Sequence, residues 1–87
     1  MDRIQAMQIF MRVAQAGSFV RAAETLSLPS STVTSSIKNL ENYLQVRLLN
    51  RTTRRVSLTA EGVQYLAQCQ EILALIDHAE TSLTASV

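Results

Sequence analysis

Two amphipathic helical patterns between Ser18 and Leu44, joined by a short break, constrain the fold of this 87-residue chain more than any other feature. Apolar residues recur at i, i+3, i+4 and i+7 in the first pattern and at i, i+4, i+7 and i+11 in the second, so each helix has one apolar face. The break is the tripeptide Ser27-Leu28-Pro29. The apolar positions are Phe19, Ala22, Ala23 and Leu26, then Val33, Ile37, Leu40 and Leu44. Two such helices with so short a connection predict a helix-turn-helix.

The polar residues of the second of these helices are mostly hydroxyls, and no carboxylate occurs before Glu41. A hydroxyl both donates and accepts hydrogen bonds, and its short stem lets the helix backbone come close to phosphates and base edges. Such a face suits a DNA groove. The alternative is a solvated polar face, since the first turn of any helix favours these residues. The residues expected to contact DNA here are Ser30, Ser31, Thr32, Thr34, Ser35 and Lys38.

Charge is unevenly distributed along the chain, although the net charge is only +1. Residues 1–58 contain all eight cations and three acidic residues, which leaves +5, whereas residues 59–87 contain four acidic residues and no cation, which leaves −4. A basic N-terminal part provides the electrostatic attraction of a DNA-binding protein, and the acidic part should point away from phosphate.

The composition argues against several other classes of protein. With 47% apolar and 17% charged residues, the chain has the balance of one small globular domain. No secretory signal or run of about 18 apolar residues occurs, so we expect a cytoplasmic protein that does not enter the membrane. The single cysteine, Cys69, and the single histidine, His78, cannot supply a disulfide, a common zinc site or a catalytic triad. We therefore expect no enzyme activity, no metal and no cofactor.

The helix boundaries follow from local signals. The apolar spacing from Ile4 to Ala14 predicts a first helix, which Gly17 ends, and Ser18 is expected to be the N-cap of the second. Pro29 is expected at the first position of the third helix, where its missing N–H is harmless. The sequence leaves open whether Leu28 or Ser30 is the cap of that helix.

The segment after Leu44 predicts a short β-hairpin with a basic tip. Leu49, Val56 and Leu58 should pack on the three-helix core, while the wholly polar run at 50–55 projects into solvent. Arginine is favoured in a narrow minor groove, and threonine can bind phosphate, so we interpret the hairpin as a DNA-binding wing; a merely solvated loop is the alternative. The residues expected to contact DNA from it are Arg51, Thr52, Thr53, Arg54 and Arg55.

A last helix is predicted from the N-cap Thr59 to about residue 85, about 40 Å long at 1.5 Å per residue. Position 62 is Gly, so there is no capping box. Further apolar residues at Tyr65, Ile72, Leu75 and Ala79 widen the stripe, so part of the helix should pack on its own head and part on a partner. We therefore expect a two-fold homodimer. The seam of the dimer is predicted at Leu66, Cys69, Leu73, Ile76 and Leu83, with Glu80 as a polar interruption and Cys69 as a small buried apolar residue.

The order and spacing of these motifs resemble the N-terminal DNA-binding domain of LysR-type transcriptional regulators. The matching residues are Ser18-Phe19, Ala22-Ala23, Leu26, Val33, Ile37, Leu40-Glu41, Leu44, Leu48, Arg51, Leu58-Thr59 and Gly62. The resemblance implies a mainly α-helical winged helix-turn-helix over residues 1–58 and a linker helix for dimerisation over residues 59–87. It also implies sequence-specific binding of operator DNA in bacteria, with the third helix in the major groove and Arg54 in the flanking minor groove.

Five positions depart from the family pattern, which prefers Gly at Gln45 and commonly has Phe at Leu49. The other three lie at the start of the third helix, where the family usually has Ser at Pro29, often Gln at Ser30 and often Arg at Ser35. Because Gln and Arg make bidentate contacts with bases, their replacement shifts the expected readout towards phosphates, water and the wing. The resemblance also implies a C-terminal effector domain, so we expect this chain to be a DNA-binding fragment of a longer protein that could form a tetramer. A winged-helix module for protein–protein interaction, without specific DNA binding, is the alternative function.

Overall fold

The computed structural model describes residues 1–51 and 55–85 of the chain. Three helices form the core, two short strands form an antiparallel hairpin, and a long fourth helix packs across the first. The elements are α1 (Arg3–Ala16), α2 (Phe19–Leu26), α3 (Ser30–Leu44), β1 (Leu49–Arg51), β2 (Val56–Leu58) and α4 (Ala60–Ala85). This confirms the mainly α-helical winged helix-turn-helix expected from the sequence.

The connection between α1 and α2 has the predicted geometry. Gly17 adopts a left-handed conformation with φ of 67°, and its N–H donates to the carbonyl of Val13 at 2.8 Å. The Ser18 hydroxyl accepts a hydrogen bond from the Arg21 N–H at 3.2 Å, as an N-cap does. α1 also begins with a cap that was not predicted, because the Asp2 carboxylate accepts from the N–H of Gln5 at 3.1 Å.

The turn between α2 and α3 corrects one boundary. Ser27 ends α2 in a left-handed conformation, with φ of 56°, and α3 begins at Ser30. Pro29 is therefore the N-cap residue rather than the first residue of α3, and neither Leu28 nor Ser30 is the cap. The physical reason is that the extended Pro29 backbone directs its carbonyl into the helix, where it accepts from the N–H groups of Thr32 and Val33 at 3.0 and 3.2 Å.

The hydrophobic core lies where the apolar faces of the three helices meet. Ala22 and Ala23 are small enough for α2 to approach its neighbours closely. Fully burying a side chain the size of Phe10 or Ile37 contributes about 1.5–3 kcal/mol, so the core is the main source of stability. The buried apolar residues are Ala6, Ile9, Phe10, Val13, Ala22, Ala23, Val33, Ile37, Leu40, Leu48, Leu49 and Cys69.

The hairpin extends this core at one edge. β1 and β2 are antiparallel, with Leu49 opposite Leu58 and Arg51 opposite Val56. Leu49 is fully buried, and Val56 and Leu58 pack partly buried against the core, as the alternating pattern predicted. Two strands of three residues gain little from their own pairing, so these apolar contacts hold the hairpin in place.

The start of α4 is tightly attached to the rest of the molecule. The predicted N-cap is confirmed, because the Thr59 hydroxyl accepts from the Gly62 N–H at 2.9 Å; it also donates to the Arg47 carbonyl at 2.6 Å. A Cβ atom at Gly62 would collide with the carbonyl oxygen of Leu48. The close approach of α4 to the strand segment therefore requires glycine where a capping box would have Glu.

The long helix corrects one residue of the predicted dimer seam. Cys69 is fully buried within the single chain, so its side chain has no surface left for a second copy. It is buried because the first turns of α4 lie against α1, where the Tyr65 ring centre is 5.5 Å from that of Phe10. Leu66 also packs partly buried against the core. Among the described residues, no helix is both long enough and apolar enough to cross a membrane.

Candidate nucleic-acid interface

The exposed face of α3 is a polar stripe opposite its buried side. Val33, Ile37 and Leu40 point into the core, so residues half a turn away must face solvent. Asn42 and Gln45 continue the stripe at helical spacing beyond the residues that the sequence identified. Among those, Ser30, Ser31, Ser35 and Lys38 are exposed and lie along one side of the helix.

The two threonines of α3 differ from each other in exposure. Thr34 is half-buried, and its hydroxyl donates to the Ser30 carbonyl at 3.0 Å, so its oxygen is left mainly as an acceptor. Thr32 is exposed, and together with Ser31 and Ser35 it lines a groove at the start of α1. Thr32 therefore belongs to the same exposed surface as the serines.

A carboxylate that the sequence did not identify as a site residue fixes the hairpin beside α3. Oε2 of Glu41 accepts hydrogen bonds from the backbone N–H groups of Leu48 and Leu49, at 2.8 and 3.2 Å. Its Oε1 pairs with Nη2 of Arg51 at 3.5 Å. One side chain of α3 thereby satisfies the backbone that enters β1 and the first arginine of the wing. Hydrogen bonds to a charged carboxylate are the stronger kind, so the wing is held at a defined distance from α3.

Arg51 is a structural part of the wing as well as a candidate DNA contact. Its guanidinium carbon lies 5.0 Å from the ring centre of Phe19, the first residue of α2. With the Glu41 pair, this cation–π contact connects α2, α3 and β1 through one side chain. Only 27% of the Arg51 side chain is exposed.

The remaining wing residues are only partly described by the structure. Arg55 is exposed just before β2. Thr52, Thr53 and Arg54 lie outside the described residues, so their contacts with DNA stay predictions.

Between α3 and the wing lies a cleft of about 430 Å³. Arg47, which the sequence analysis did not propose as a site residue, lines it together with Lys38 and Arg51. The only sequence signal for Arg47 was its place among the eight cations of the N-terminal part. Its position near Lys38 depends on the fold, because eight residues lie between the two in the chain.

Two side chains have shifted pKa values where α4 packs against α1. Burial raises the pKa of Tyr65 to about 12, and the neighbouring Cys69 thiol adds to the shift. Burial also raises the pKa of Cys69. Both groups therefore stay neutral at pH 7. Within residues 1–51 and 55–85, no group of three His, Cys, Asp or Glu side chains is placed to hold a metal ion.

One family of proteins matches most of the chain. The family described as bacterial regulatory helix-turn-helix protein, lysR family, matches residues 4–63. The match covers α1, the helix-turn-helix, the hairpin and the first turn of α4.

Two relatives are similar along nearly the whole chain. An HTH-type transcriptional repressor of Pseudomonas aeruginosa is 49% identical over 83 residues, which are 95% of this chain and 26% of the relative. The HTH-type transcriptional regulator CrgA of Neisseria meningitidis is 47% identical over 81 residues, 93% of this chain and 27% of the relative. The chain thus spans about a quarter of the length of these relatives.

Two solved structures share the fold. The DNA-binding domain of CbnR in complex with DNA superposes with a TM-score of 0.90 at 31% identity, covering 95% of both chains. The DNA-binding domain of BenM in complex with catB site 1 DNA superposes with a TM-score of 0.91 at 27% identity, covering 94% of this chain and 91% of that one.

Proposed function

The chain belongs to the LysR family of bacterial regulatory helix-turn-helix proteins, and we propose that it is a sequence-specific DNA-binding domain of a transcriptional regulator. The observation that carries this proposal is the exposed stripe of serines and Lys38 on α3. Glu41 holds an arginine-containing wing beside this stripe. The folds of two domains solved on DNA, and the names of relatives that are transcriptional regulators rather than enzymes, support it.

In this proposal α3 enters the major groove with its polar stripe against the base edges. Short serine side chains allow close approach of the helix, and Lys38 at the centre of the stripe supplies charge. The wing lies beside α3 and reaches the flanking minor groove, with Arg54 as its expected contact there. Arg51 acts mainly from the base of the wing, since Glu41 and Phe19 already hold its guanidinium.

The proposed partner for the far part of α4 is a second copy of the chain. Leu75 and Leu83 are 67% and 74% exposed, and Ile72 is 39% exposed. Exposed apolar side chains on one stripe of a helix favour an interface. The stripe has the spacing i, i+3, i+4, i+7 and i+11 and consists of Ile72, Leu75, Ile76, Ala79 and Leu83. Leu73 lies closer to α1, where it lines a small cavity with Met11.

These contacts support different roles for the two parts of the chain. Residues 1–58 bind DNA, and residues 59–87 provide the dimerisation helix, whose first turns also complete the core of the head. For the whole protein we propose a response to an effector, a tetrameric state and a cytoplasmic location. This chain matches about a quarter of the length of its relatives.

The experiment that tests this function is selection of bound duplexes from a randomised pool at about physiological salt, since DNA affinity has meaning only at a stated salt concentration. We expect enrichment of a two-fold-symmetric motif. Retention of duplexes without enrichment would contradict sequence-specific binding, and no retention would favour the protein-interaction module.

A matched pair of variants tests the α3 face directly. Ser35→Asp places a carboxylate in the middle of the stripe, and we expect it to weaken binding of the selected duplex more than about tenfold, because like charges at an interface cost several kcal/mol. Gln70→Glu adds the same charge at an exposed position of α4 and should bind the duplex like the parent chain. Equal binding by both variants would remove α3 from the interface.

A further inference from the structure

The cleft between α3 and β1 has the charge and the construction of an anion site. It is lined by Lys38, Glu41, Asn42, Gln45, Val46, Arg47 and Arg51. Three cations and one carboxylate leave it with a net charge of +2. The carboxylate does not oppose an anion strongly, because Glu41 is already occupied by two backbone N–H groups and by Arg51. Lys38 and Arg47 are exposed, and neither takes part in the ion pair between Glu41 and Arg51.

The backbone that carries Arg47 is held in place by several hydrogen bonds. Its own carbonyl accepts from the Thr59 hydroxyl at 2.6 Å, and the next residue, Leu48, donates to Glu41 at 2.8 Å. On the other side, the Val46 N–H donates to the Glu41 carbonyl at 3.2 Å. The exposed guanidinium of Arg47 thus extends from a fixed point at the rim of the cleft, which lowers the entropy cost of using it.

Arg51 forms a wall of the cleft and is held there through its guanidinium. Its Nε atom is buried and has no hydrogen-bond acceptor among the described residues. A buried donor without an acceptor costs about 1–3 kcal/mol. Because this atom is not accessible from the cleft, Arg51 contributes to the site through its positive charge and its fixed position.

We propose that this cleft seats one backbone phosphate of the DNA, with Lys38 and Arg47 providing the charge and Arg51 forming the fixed wall. The inference rests on the proposed function, in which α3 occupies the major groove and the wing occupies the flanking minor groove. The two grooves of a duplex are separated by a sugar-phosphate backbone, and the cleft lies between the two elements. That backbone must therefore cross the cleft, where it meets a net positive charge.

The test is the salt dependence of affinity for the selected duplex, measured with the parent chain, Arg47→Gln and Arg12→Gln. Loss of one phosphate contact from each chain of the dimer lowers the slope of log K against log salt by about 1.8, which is about sixtyfold weaker binding at about 0.1 M salt if the lines meet near 1 M. We expect this change for Arg47→Gln. Arg12→Gln removes the same charge from the side of α1 that faces Leu73, and its slope should be that of the parent. Lys38→Gln is the second variant expected to reduce the slope.

The position of the contact is tested by replacing the phosphates of the duplex one at a time with neutral methylphosphonates. The parent chain and Arg12→Gln should bind more weakly when one particular phosphate beside the major groove of a half-site is neutralised. Neutralising that same phosphate should not weaken binding by Arg47→Gln, because this variant has already lost the contact. The parent chain could bind strongly while Arg47→Gln has an unchanged slope and responds to every methylphosphonate as the parent does. That result would overturn the proposed phosphate site and leave the proposed function intact. Absence of any duplex binding by the parent chain would overturn both.

Discussion

The two halves of α4 have the same helical backbone but opposite surroundings. In residues 60–73, Gly62 touches the Leu48 carbonyl, Tyr65 packs on Phe10, and Cys69 is fully buried. Among the described residues from 74 onward, no side chain belongs to the core or to the apolar set packed against it. The first half is part of the head, and the second half extends beyond it.

The two halves of this continuous helix therefore differ in the tertiary contacts available to stabilise them. Its first half obtains its stability from tertiary contacts, whereas an isolated helical stretch of about 12 residues is marginal in water. The second half exposes Leu75 and Leu83, which belong to the stripe proposed to pack against a second copy of the chain. Substitutions in the first half should therefore lower the stability of the head, and substitutions in the second half should change association.

The largest effect is expected for Gly62→Ala. The new Cβ atom would collide with the backbone carbonyl of Leu48, so α4 must shift, and overpacking of this kind costs about 1–3 kcal/mol or more. A loss of 2 kcal/mol would lower the melting temperature by roughly 10 °C for a domain of this size, as measured by circular dichroism. Gly17→Ala is the comparison, since its Cβ would meet nothing within 4 Å and only the left-handed backbone is strained. A Gly62→Ala variant as stable as the parent would contradict the close contact of α4 with the strand segment.

The next effect is expected for Leu75→Glu in the second half. A carboxylate in the proposed apolar stripe should raise the dimer dissociation constant by about tenfold or more, because burial of a leucine contributes about 1.5–3 kcal/mol. Analytical ultracentrifugation measures this change, and helix content should persist. Gln70→Glu adds the same charge away from the stripe and should leave the dimer intact. If Leu75→Glu dimerises as tightly as the parent chain, the stripe is not the interface.

A smaller difference is expected between two threonines at opposite ends of α4. Thr59→Ala removes the N-cap of α4 and the bond to the Arg47 carbonyl, and should lower the free energy of unfolding in urea by about 1 kcal/mol. Thr84→Ala removes a hydroxyl that donates to the Thr81 carbonyl on the exposed second half, and should change it by less than about 0.5 kcal/mol. Equal losses in the free energy of unfolding for the two variants would contradict the expected difference between the two ends of α4.

The smallest effect concerns alkaline pH. Burial raises the pKa of Tyr65 from its ordinary 10.0 to about 12, so the folded state keeps the proton more tightly than the unfolded state. This contribution to stability is complete below pH 10 and is lost as the pH rises towards about 12. The melting temperature, measured between about pH 9 and pH 11, should fall less steeply for Tyr65→Phe than for the parent chain. Tyr43→Phe, at a residue that is 57% exposed and is the smallest of the contributors to the Tyr65 pKa shift, should retain most of the decrease. An identical decrease in all three chains would show that Tyr65 does not titrate in this way.

Much of the fold could be predicted because its signals are local. The caps at Ser18 and Thr59, the left-handed Gly17 and the alternation of Val56-Ser57-Leu58 each depend on a few neighbouring residues. Pro29 shows the limit of such signals. Its missing N–H is compatible with the N-cap and with the first helical position alike, so the boundary differed by one residue.

The site could be predicted as a set of residue types but not as an arrangement. The hydroxyls of α3 follow from helical spacing, whereas the role of Glu41 depends on three donors that come together only when the chain returns after α3. For the same reason Arg47 was counted only as a charge, although it lines one cleft with Lys38, which was predicted to contact DNA.

Periodicity, capping residues and charge order along the chain are therefore enough to specify four helices, a hairpin, a polar α3 face and a basic N-terminal part. Which face of α4 is covered depends on how the whole molecule packs, because Cys69 and Leu75 both suit an apolar stripe in the sequence. The approach of α4 to Leu48 and Phe10 buries Cys69 and leaves Leu75 exposed. Local patterns report which residues prefer burial, and contacts between distant segments determine which of them obtain it.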